Sequence, residues 1–378
     1  MSLLRETYLS LGSNQGDRLD FLQQAVDLIA ERIGMISHIS PVYKTESYGF
    51  KADDFLNIAI RVQTKHNPEF LIHELLEIEN FIGRTRVKSD SFESRIIDID
   101  IILFEDEIIF SEKLVVPHPE MTKRRFVLQP LADITPLFIH PFEKKTIKTL
   151  LQECADPLKV EVLDDVKLTR PVSIPELYNY IGIEGNIGAG KTSLTNMLSD
   201  DFNAKKVLER FADNPFLPKF YENEERYAFP LEMSFLADRY QQLSDDLAQF
   251  DLFKSFIISD YYIFKSLIFA QVTLSHEEYA LYRRMFDIMY NEITKPDLYI
   301  YLYQNTERLL ENIKSRGREY EQNITEDYLK KIHKGYANFI QSEKNLNVLI
   351  IDVSEIDFVK RPEDYRKIVR DIIQFKKQ

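Results

Sequence analysis

Two sets of residues in this sequence have the type and spacing to handle phosphate. Gly185, Gly190, Lys191 and Thr192 fit G-x-x-x-x-G-K-[ST] within "YIGIEGNIGAGKTSL". The glycines, Gly188 included, let successive backbone N–H groups turn toward phosphate oxygens, and the start of a helix adds its positive end. Lys191 is expected at the β- and γ-phosphates and the Thr192 hydroxyl at Mg²⁺. The second set is Asp98 and Asp100 in "SRIIDIDIILF". Two apart on a strand, they share a face. Paired carboxylates suit hard, oxygen-seeking Mg²⁺ carrying nucleotide phosphates. The same alternation also fits an edge strand with a solvated acidic face. What favours a site is the company: Arg84, Arg86, Lys88 and Arg95 before the pair, Arg124 and Arg125 after it, and His118 close by.

These two sets need different frameworks. "TYLSLGSN" reads as a strand and "DRLDFLQQAVDLIAERIG" as an amphipathic helix stopped by Gly34. "HISPVYKTES" and "FLNIAIRVQT" are strand-like. "NPEFLIHELLEIENFIG" carries an N-cap, a proline at the first helical position and a closing glycine. The mixed order implies an α+β sandwich for residues 1–166. Residues 167–177 are charged, proline-bearing and aperiodic, and are expected to link two domains. From 178 to 378 strand and helix alternate: "YIGIEG", "GKTSLTNMLSDDF", "AKKVLER", "SFIISD", "DLYIYLY", "NVLIIDVS". That pattern predicts a doubly wound parallel α/β domain.

Composition narrows the class. The 378 residues suffice for two cores. A net charge of −13 argues against broad nucleic-acid binding, which needs a basic face, but not against small anionic ligands. The single cysteine, Cys154, excludes an internal disulfide framework, so a reducing cytoplasmic setting is expected. No apolar run reaches the ~18 residues of a membrane span.

The second half resembles the deoxynucleoside kinases, of the deoxyadenosine/deoxyguanosine type. The resemblance rests on "IEGNIGAGKTSL", "LERFADNPFLPKFYENEERYAFPLEMSFLADRY" and "SRGREYEQNI", and runs from Tyr178 to Gln378. It implies a P-loop kinase fold, ATP with Mg²⁺, and a homodimer through this domain. Gly185, Asn186, Gly188, Gly190, Lys191, Thr192 and Ser193 would form the phosphate cradle. Glu209 would take the proton from the sugar 5′-hydroxyl. Tyr221 and Glu321 would hold the 3′-hydroxyl, and Arg316 and Arg318 would close over the transferring phosphoryl group. Two positions depart from the family. Glu232 stands where Gln usually reads the base together with Arg239; a carboxylate only accepts hydrogen bonds. That favours an exocyclic amino group and deoxyadenosine, with deoxyguanosine and deoxycytidine open. The usual Glu-Arg-Ser after the third strand is replaced by Asp260-Tyr261, with Asp260 expected on the phosphate or Mg²⁺ side. The arginine that braces the catalytic carboxylate has no evident replacement.

The first half resembles 6-hydroxymethyl-7,8-dihydropterin pyrophosphokinase, from Thr7 to Val162. The matching pieces are "YLSLGSNQGDRLDFL", "SPVYKTESYGF", "DDFLNIAI", "EIENFIGRTR", "RIIDIDIILF" and "VPHPEMTKRRF". The resemblance implies a ferredoxin-like α+β sandwich and pyrophosphoryl transfer from ATP to the pterin hydroxymethyl oxygen. Asp98 and Asp100 would bind Mg²⁺, and Arg84, Arg95, His118 and Arg124 would hold the triphosphate. Asn57, Thr45, Phe126 and the Phe55 region would hold the pterin. Lys113 and Phe92 stand where arginine and tryptophan are common.

A bifunctional transferase acting on small molecules follows. One rival is that either half is an inactive regulatory or assembly module. Another is a nucleotide switch or ATPase without a nucleoside acceptor, which gives Tyr221, Glu321 and the R-G-R stretch no purpose.

Overall fold

A computed structural model describes residues 4–46, 53–84, 94–210, 214–249, 254–318, 321–322 and 324–375, apart from the Tyr221 side chain. The chain divides into two compact units, Met1–Val172 and Ser173–Gln378. The division falls inside 167–177, but little of that stretch is a free tether. Thr169 exchanges hydrogen bonds with Gln23, and Arg170 donates to the Ile36 carbonyl, both within the first unit. Residues from Ile174 onward already form a helical turn of the second.

The first unit runs β1 (Arg5–Ser13), α1 (Arg18–Arg32), β2 (Met35–Ile39), β3 (Tyr43–Thr45), β4 (Phe55–Thr64), α2 (Pro68–Ile82) and β5 (Asp98–Phe104). A short hairpin of β6 (Ile109–Phe110) and β7 (Val115–Val116) follows. Then come α3 (Arg125–Ile134), α4 (Ile147–Glu153) and β8 (Val160–Val162). The antiparallel sheet has the order β5-β1-β4-β3-β8, with β2 also pairing β4. α2 forms where its caps dictate: Asn67 accepts from the Phe70 N–H, Pro68 occupies the first turn, and Gly83 closes the helix at φ +115°.

Alternation along the strands separates two cores. Leu9, Leu11, Ile58 and Ile60 pack with Leu22, Val26 and Ile29 of α1 and Leu71, Leu75 and Ile78 of α2. Tyr8, Ala59 and Leu103 face the other way, onto Val127, Leu128 and Leu131 of α3 and Ile147 and Leu150 of α4. The sandwich therefore has helices on both faces of its sheet, α1 and α2 beneath and α3 and α4 above. The register shifts at Tyr8/Leu9, where β5 carries one extra residue. Up to that bulge Ile97, Ile99 and Ile101 are buried in the first core, so Asp98 and Asp100 point to the opposite face.

The second unit begins with α5 (Ile174–Leu177), β9 (Tyr180–Gly185), α6 (Lys191–Phe202), β10 (Lys205–Val207), α7 (Leu217–Glu222) and α8 (Glu224–Ala248). It continues through β11 (Ile257–Ser259), α9 (Phe264–Thr273), α10 (His276–Tyr290), β12 (Leu298–Tyr303), α11 (Thr306–Arg316), α12 (Glu326–Ser342), β13 (Val348–Asp352) and α13 (Pro362–Gln374). All strands of the sheet β10-β11-β9-β12-β13 are parallel. Tyr180, Tyr299 and Tyr301 pack with residues of α8, α9, α10 and α12. The alternate positions Ile181, Ile183, Leu298, Ile300 and Leu302 are also fully buried, so both faces are covered. In such a sheet ligands sit beyond the carboxyl ends of the strands, where the strand order reverses. Gly185, Glu209 and Asp260 lie at or just past the carboxyl ends of β9, β10 and β11.

Candidate active sites

In the first unit a cavity of about 660 Å³ opens on the acidic face of β5. Asp98 and Asp100 line it with Arg95, His118 and Arg124; Thr45, Phe55, Asn57 and Phe126 line it as well. Residues more than 80 positions apart in sequence thus share one space. β1 explains the room beside the aspartates, because it sets Gly12 opposite Asp98 and Ser10 opposite Asp100. A Cβ on Gly12 would lie 3.0 Å from the Asn57 amide oxygen.

The two aspartates differ. Asp98 receives Arg84 at one oxygen and Arg95 at the other. Asp100 lies deeper, and burial, then Asp98 and then Glu79 push its carboxyl up to about 7. Two carboxyls crowded on one face, one of them destabilised as an anion, suit a divalent cation. Among the described residues no set of three or more His, Cys, Asp or Glu side chains gathers. His118 accepts at Nδ1 from the Glu120 N–H, 3.2 Å, and burial followed by Arg124 lowers its pKa. The neutral ring then carries its proton on Nε2, free to donate to a phosphate oxygen. The Asn57 amide donates to Thr45 Oγ1 at 2.8 Å, both side chains being buried. Arg125, counted with the cations in the sequence, is used elsewhere: it bonds Asp156 and the Cys154 carbonyl. Lys113 is exposed and away from the cavity lining. Arg86, Lys88 and Phe92 lie outside the described residues.

In the second unit the phosphate loop has the backbone its glycines allow. Gly188 and Gly190 adopt φ +84° and +89°, and a Cβ on Gly190 would come within 2.9 Å of the Phe358 ring. Lys191 reaches back to the carbonyls of Gly185 and Asn186, at 3.0 and 2.9 Å. Burial, then Lys265, lowers its pKa to about 8. Asn186 is structural, donating to the Leu329 carbonyl and accepting from Ile187. Ser193 is exposed on the first turn of α6.

Asp260 ties this loop to Glu209. One of its oxygens accepts from the Thr192 hydroxyl and the other from the Glu209 N–H at 2.7 Å. Glu209 lies between Arg239, whose Nε and Nη2 donate to Oε1 at 2.9 and 2.8 Å, and Lys265, which donates to Oε2 at 2.6 Å. Burial alone would raise the Glu209 pKa; Lys265 and Arg239 outweigh it and hold the carboxyl well below the usual range. Arg239, expected at the base, donates to Glu209 and to the Ser266 hydroxyl. Glu232 is buried on the same helix. Glu321 receives both Arg316 and Arg318. Asn312 on α11 donates to the Gly188 carbonyl at 2.9 Å, anchoring the helix before these arginines to the phosphate loop. Tyr221 lies on α7, its side chain outside the description.

Three charged residues were missed. Lys265, at the start of "FKSLIFAQVT", braces Glu209 together with Arg239. A lone charge in that apolar helix was the available signal. Glu79 is buried, accepts the Ile99 N–H at 2.8 Å and braces Arg84. Glu184 is buried inside β9, accepting from Tyr262 N–H and Tyr336 hydroxyl. Replacing Lys265 by Met removes one cation holding Glu209 ionised. The acid limb of kcat at this site should move to higher pH, with kcat falling about tenfold or more as Glu209 loses its orientation. Lys265→Arg should restore both. An unmoved pH profile in Lys265→Met would mean that Lys265 is packing only.

The two units resemble two different sets of known proteins. The family model for deoxynucleoside kinase matches residues 181–377, and that for 7,8-dihydro-6-hydroxymethylpterin-pyrophosphokinase matches residues 8–136. A deoxyguanosine kinase of Bacillus subtilis is 37% identical over 197 residues, 51% of this chain and 95% of that protein. A 2-amino-4-hydroxy-6-hydroxymethyldihydropteridine pyrophosphokinase of Aquifex aeolicus is 37% identical over 147 residues, 39% of this chain and 90% of that protein. A solved structure of deoxyadenosine kinase from M. mycoides with bound dATP aligns with 51% of this chain and 98% of its own, at 24% identity and a TM-score of 0.45. The chain belongs to both families, the pterin pyrophosphokinases through its first unit and the deoxynucleoside kinases through its second. Among the described residues no helix is long and apolar enough to cross a membrane.

Proposed function

We propose that the chain is a bifunctional transferase. Its first unit moves the pyrophosphoryl group of ATP to the hydroxymethyl oxygen of 6-hydroxymethyl-7,8-dihydropterin, leaving AMP. Its second moves the γ-phosphoryl group of ATP to the 5′-hydroxyl of a purine deoxynucleoside, deoxyadenosine first, leaving ADP. The first assignment is supported by one cavity that joins the aspartate pair to Asn57, Thr45, Phe55 and Phe126. The second is supported by Asp260, which fixes the Glu209 backbone relative to the phosphate-loop threonine.

In the first unit Asp98 and Asp100 would hold Mg²⁺, which would supply neutralisation of phosphate charge. Arg95, Arg124 and neutral His118 hold phosphate oxygens, and Arg84 keeps Asp98 in place. The Asn57 amide offers a donor and an acceptor to the pterin edge, while Phe55 and Phe126 cover its flat face. In the second unit Glu209 aims the 5′-hydroxyl and accepts its proton. Lys191 and the loop N–H groups hold the β- and γ-phosphates. Thr192 and Asp260 would hold Mg²⁺, and Arg316 and Arg318 meet charge on the transferring group. The sugar 3′-hydroxyl is assigned to Tyr221 and Glu321.

The full chain should phosphorylate deoxyadenosine and deoxyguanosine in preference to pyrimidine deoxynucleosides when the four are offered singly with ATP. ATP hydrolysis at equal rates with and without any nucleoside would remove the kinase assignment in favour of an ATPase.

A further inference from the structure

Glu232 departs from the amide expected at its position, and its surroundings show what a carboxyl does there. The side chain is 3% exposed. Its Oε1 lies 3.0 Å from Thr273 Oγ1, and its Oε2 has no hydrogen-bond partner. The groups around it come from several elements. Arg239 shares α8, Lys265 and Thr273 are on α9, Tyr282 of α10 donates to the Glu232 carbonyl at 3.4 Å, and Glu209 follows β10. Both cations are committed, because Arg239 and Lys265 grip the two oxygens of Glu209. An ionised carboxylate left in the interior without its own cation is strongly disfavoured.

The Thr273 hydroxyl adds a second constraint. It has one proton and two acceptors within reach, Glu232 Oε1 and the Phe269 carbonyl, each at 3.0 Å. Directed to Glu232, that proton makes Oε1 an acceptor and leaves Oε2, buried and without a partner, as the oxygen that carries the acid proton. Burial, opposed by Arg239 and Thr273, pushes the Glu232 carboxyl up to about 7, in accord with this geometry.

A neutral carboxyl presents one O–H donor and one acceptor side by side, the pattern of the glutamine it replaces. Such a pair matches the exocyclic amino group and neighbouring ring nitrogen of adenine. Once ionised it only accepts. Adenine then meets a lone pair with a lone pair, whereas guanine offers two adjacent donors, N1–H and the 2-amino group.

We propose that Glu232 reads adenine as a neutral carboxylic acid, donating from Oε2 to a ring nitrogen and accepting at Oε1 from the amino group, and that loss of this proton turns the same site toward guanine. Thr273 donates to Oε1 in both states, so only Oε2 changes its character. The proposal deepens, and rests on, the assignment of the second unit as a purine deoxynucleoside kinase with Glu232 at the base.

The test is the ratio of kcat/KM for deoxyguanosine to that for deoxyadenosine, measured on the full chain between about pH 5.5 and 8.5. The ratio cancels what both substrates share, including titration of Lys191 and Glu209. It should rise about tenfold or more with pH, the discrimination of one base-edge pair. In Glu232→Gln, which keeps donor and acceptor but cannot ionise, the ratio should be flat. A flat wild-type ratio with a changed ratio in Glu232→Gln overturns the proton-dependent reading and leaves Glu232 at the base. An identical, flat ratio in both proteins overturns the base assignment as well.

Discussion

Glu209→Gln is expected to lower deoxynucleoside phosphorylation by about 10²- to 10⁴-fold and to leave AMP formation from the pterin substrate unchanged. Glu209 is the only acidic side chain among the described residues that both pairs with Arg239 and Lys265 and takes its backbone position from Asp260. Its pKa is held low, so it is ionised throughout the neutral range. A weakly basic carboxylate is adequate here, because the transition state of phosphoryl transfer is loose and demands little early deprotonation. Its larger contribution is aim: one oxygen fixed by each cation leaves the carboxylate a single orientation. Glutamine keeps the size but takes no proton, and it leaves two buried cations short of an anion. Thermal melting should therefore accompany the assay. Glu209→Asp provides a second variant that retains the charge, and its activity should fall between the two. Near-normal turnover in a folded Glu209→Gln protein would remove the assignment.

The second large effect is expected in the other unit. Asp100→Asn should reduce AMP formation by more than the ~10- to 100-fold that loss of an outer partner of a metal ligand costs, with deoxynucleoside phosphorylation intact. Asp98 already shares its charge with Arg84 and Arg95, whereas Asp100 is pushed up to about 7 by burial, then Asp98 and then Glu79. Asparagine would relieve that crowding and leave the fold intact or firmer. Lost activity with unchanged or raised melting temperature is thus the signature of a site held at the expense of stability. A parallel loss of both would mean that Asp100 only supports the strand.

Much of this was legible in the sequence because the informative patterns are local. The phosphate loop is eight consecutive residues after a strand, and strand alternation alone put Asp98 and Asp100 on one face. The cavity that joins Asp98 to Thr45, Asn57 and Phe126 depends on β1, β3, β4 and β5 meeting in one sheet; the family resemblance supplied that, not the spacing. The charged residues buried between elements were not legible. Lys265 and Glu209 are 56 positions apart, and a motif read along the chain looks for the bracing arginine where the family keeps it. Arg239 illustrates the same limit. Its position on α8 was correctly placed near Glu232, but which carboxylate it grips is decided by packing of α8 against α9 and the end of β10. The bulge in β5 that lets the neighbours Ile102 and Leu103 face the same core likewise has no signature in "DIDIILF".

The central claim is that one chain carries two phosphate-transfer chemistries at independent sites. Its most direct test uses ATP labelled at the α-phosphate with a single preparation of the full chain. The label should appear in AMP when only the hydroxymethyl dihydropterin is supplied, and in ADP when only a purine deoxynucleoside is supplied. Label in ADP under both conditions, or in neither product with one of the two acceptors, would contradict it.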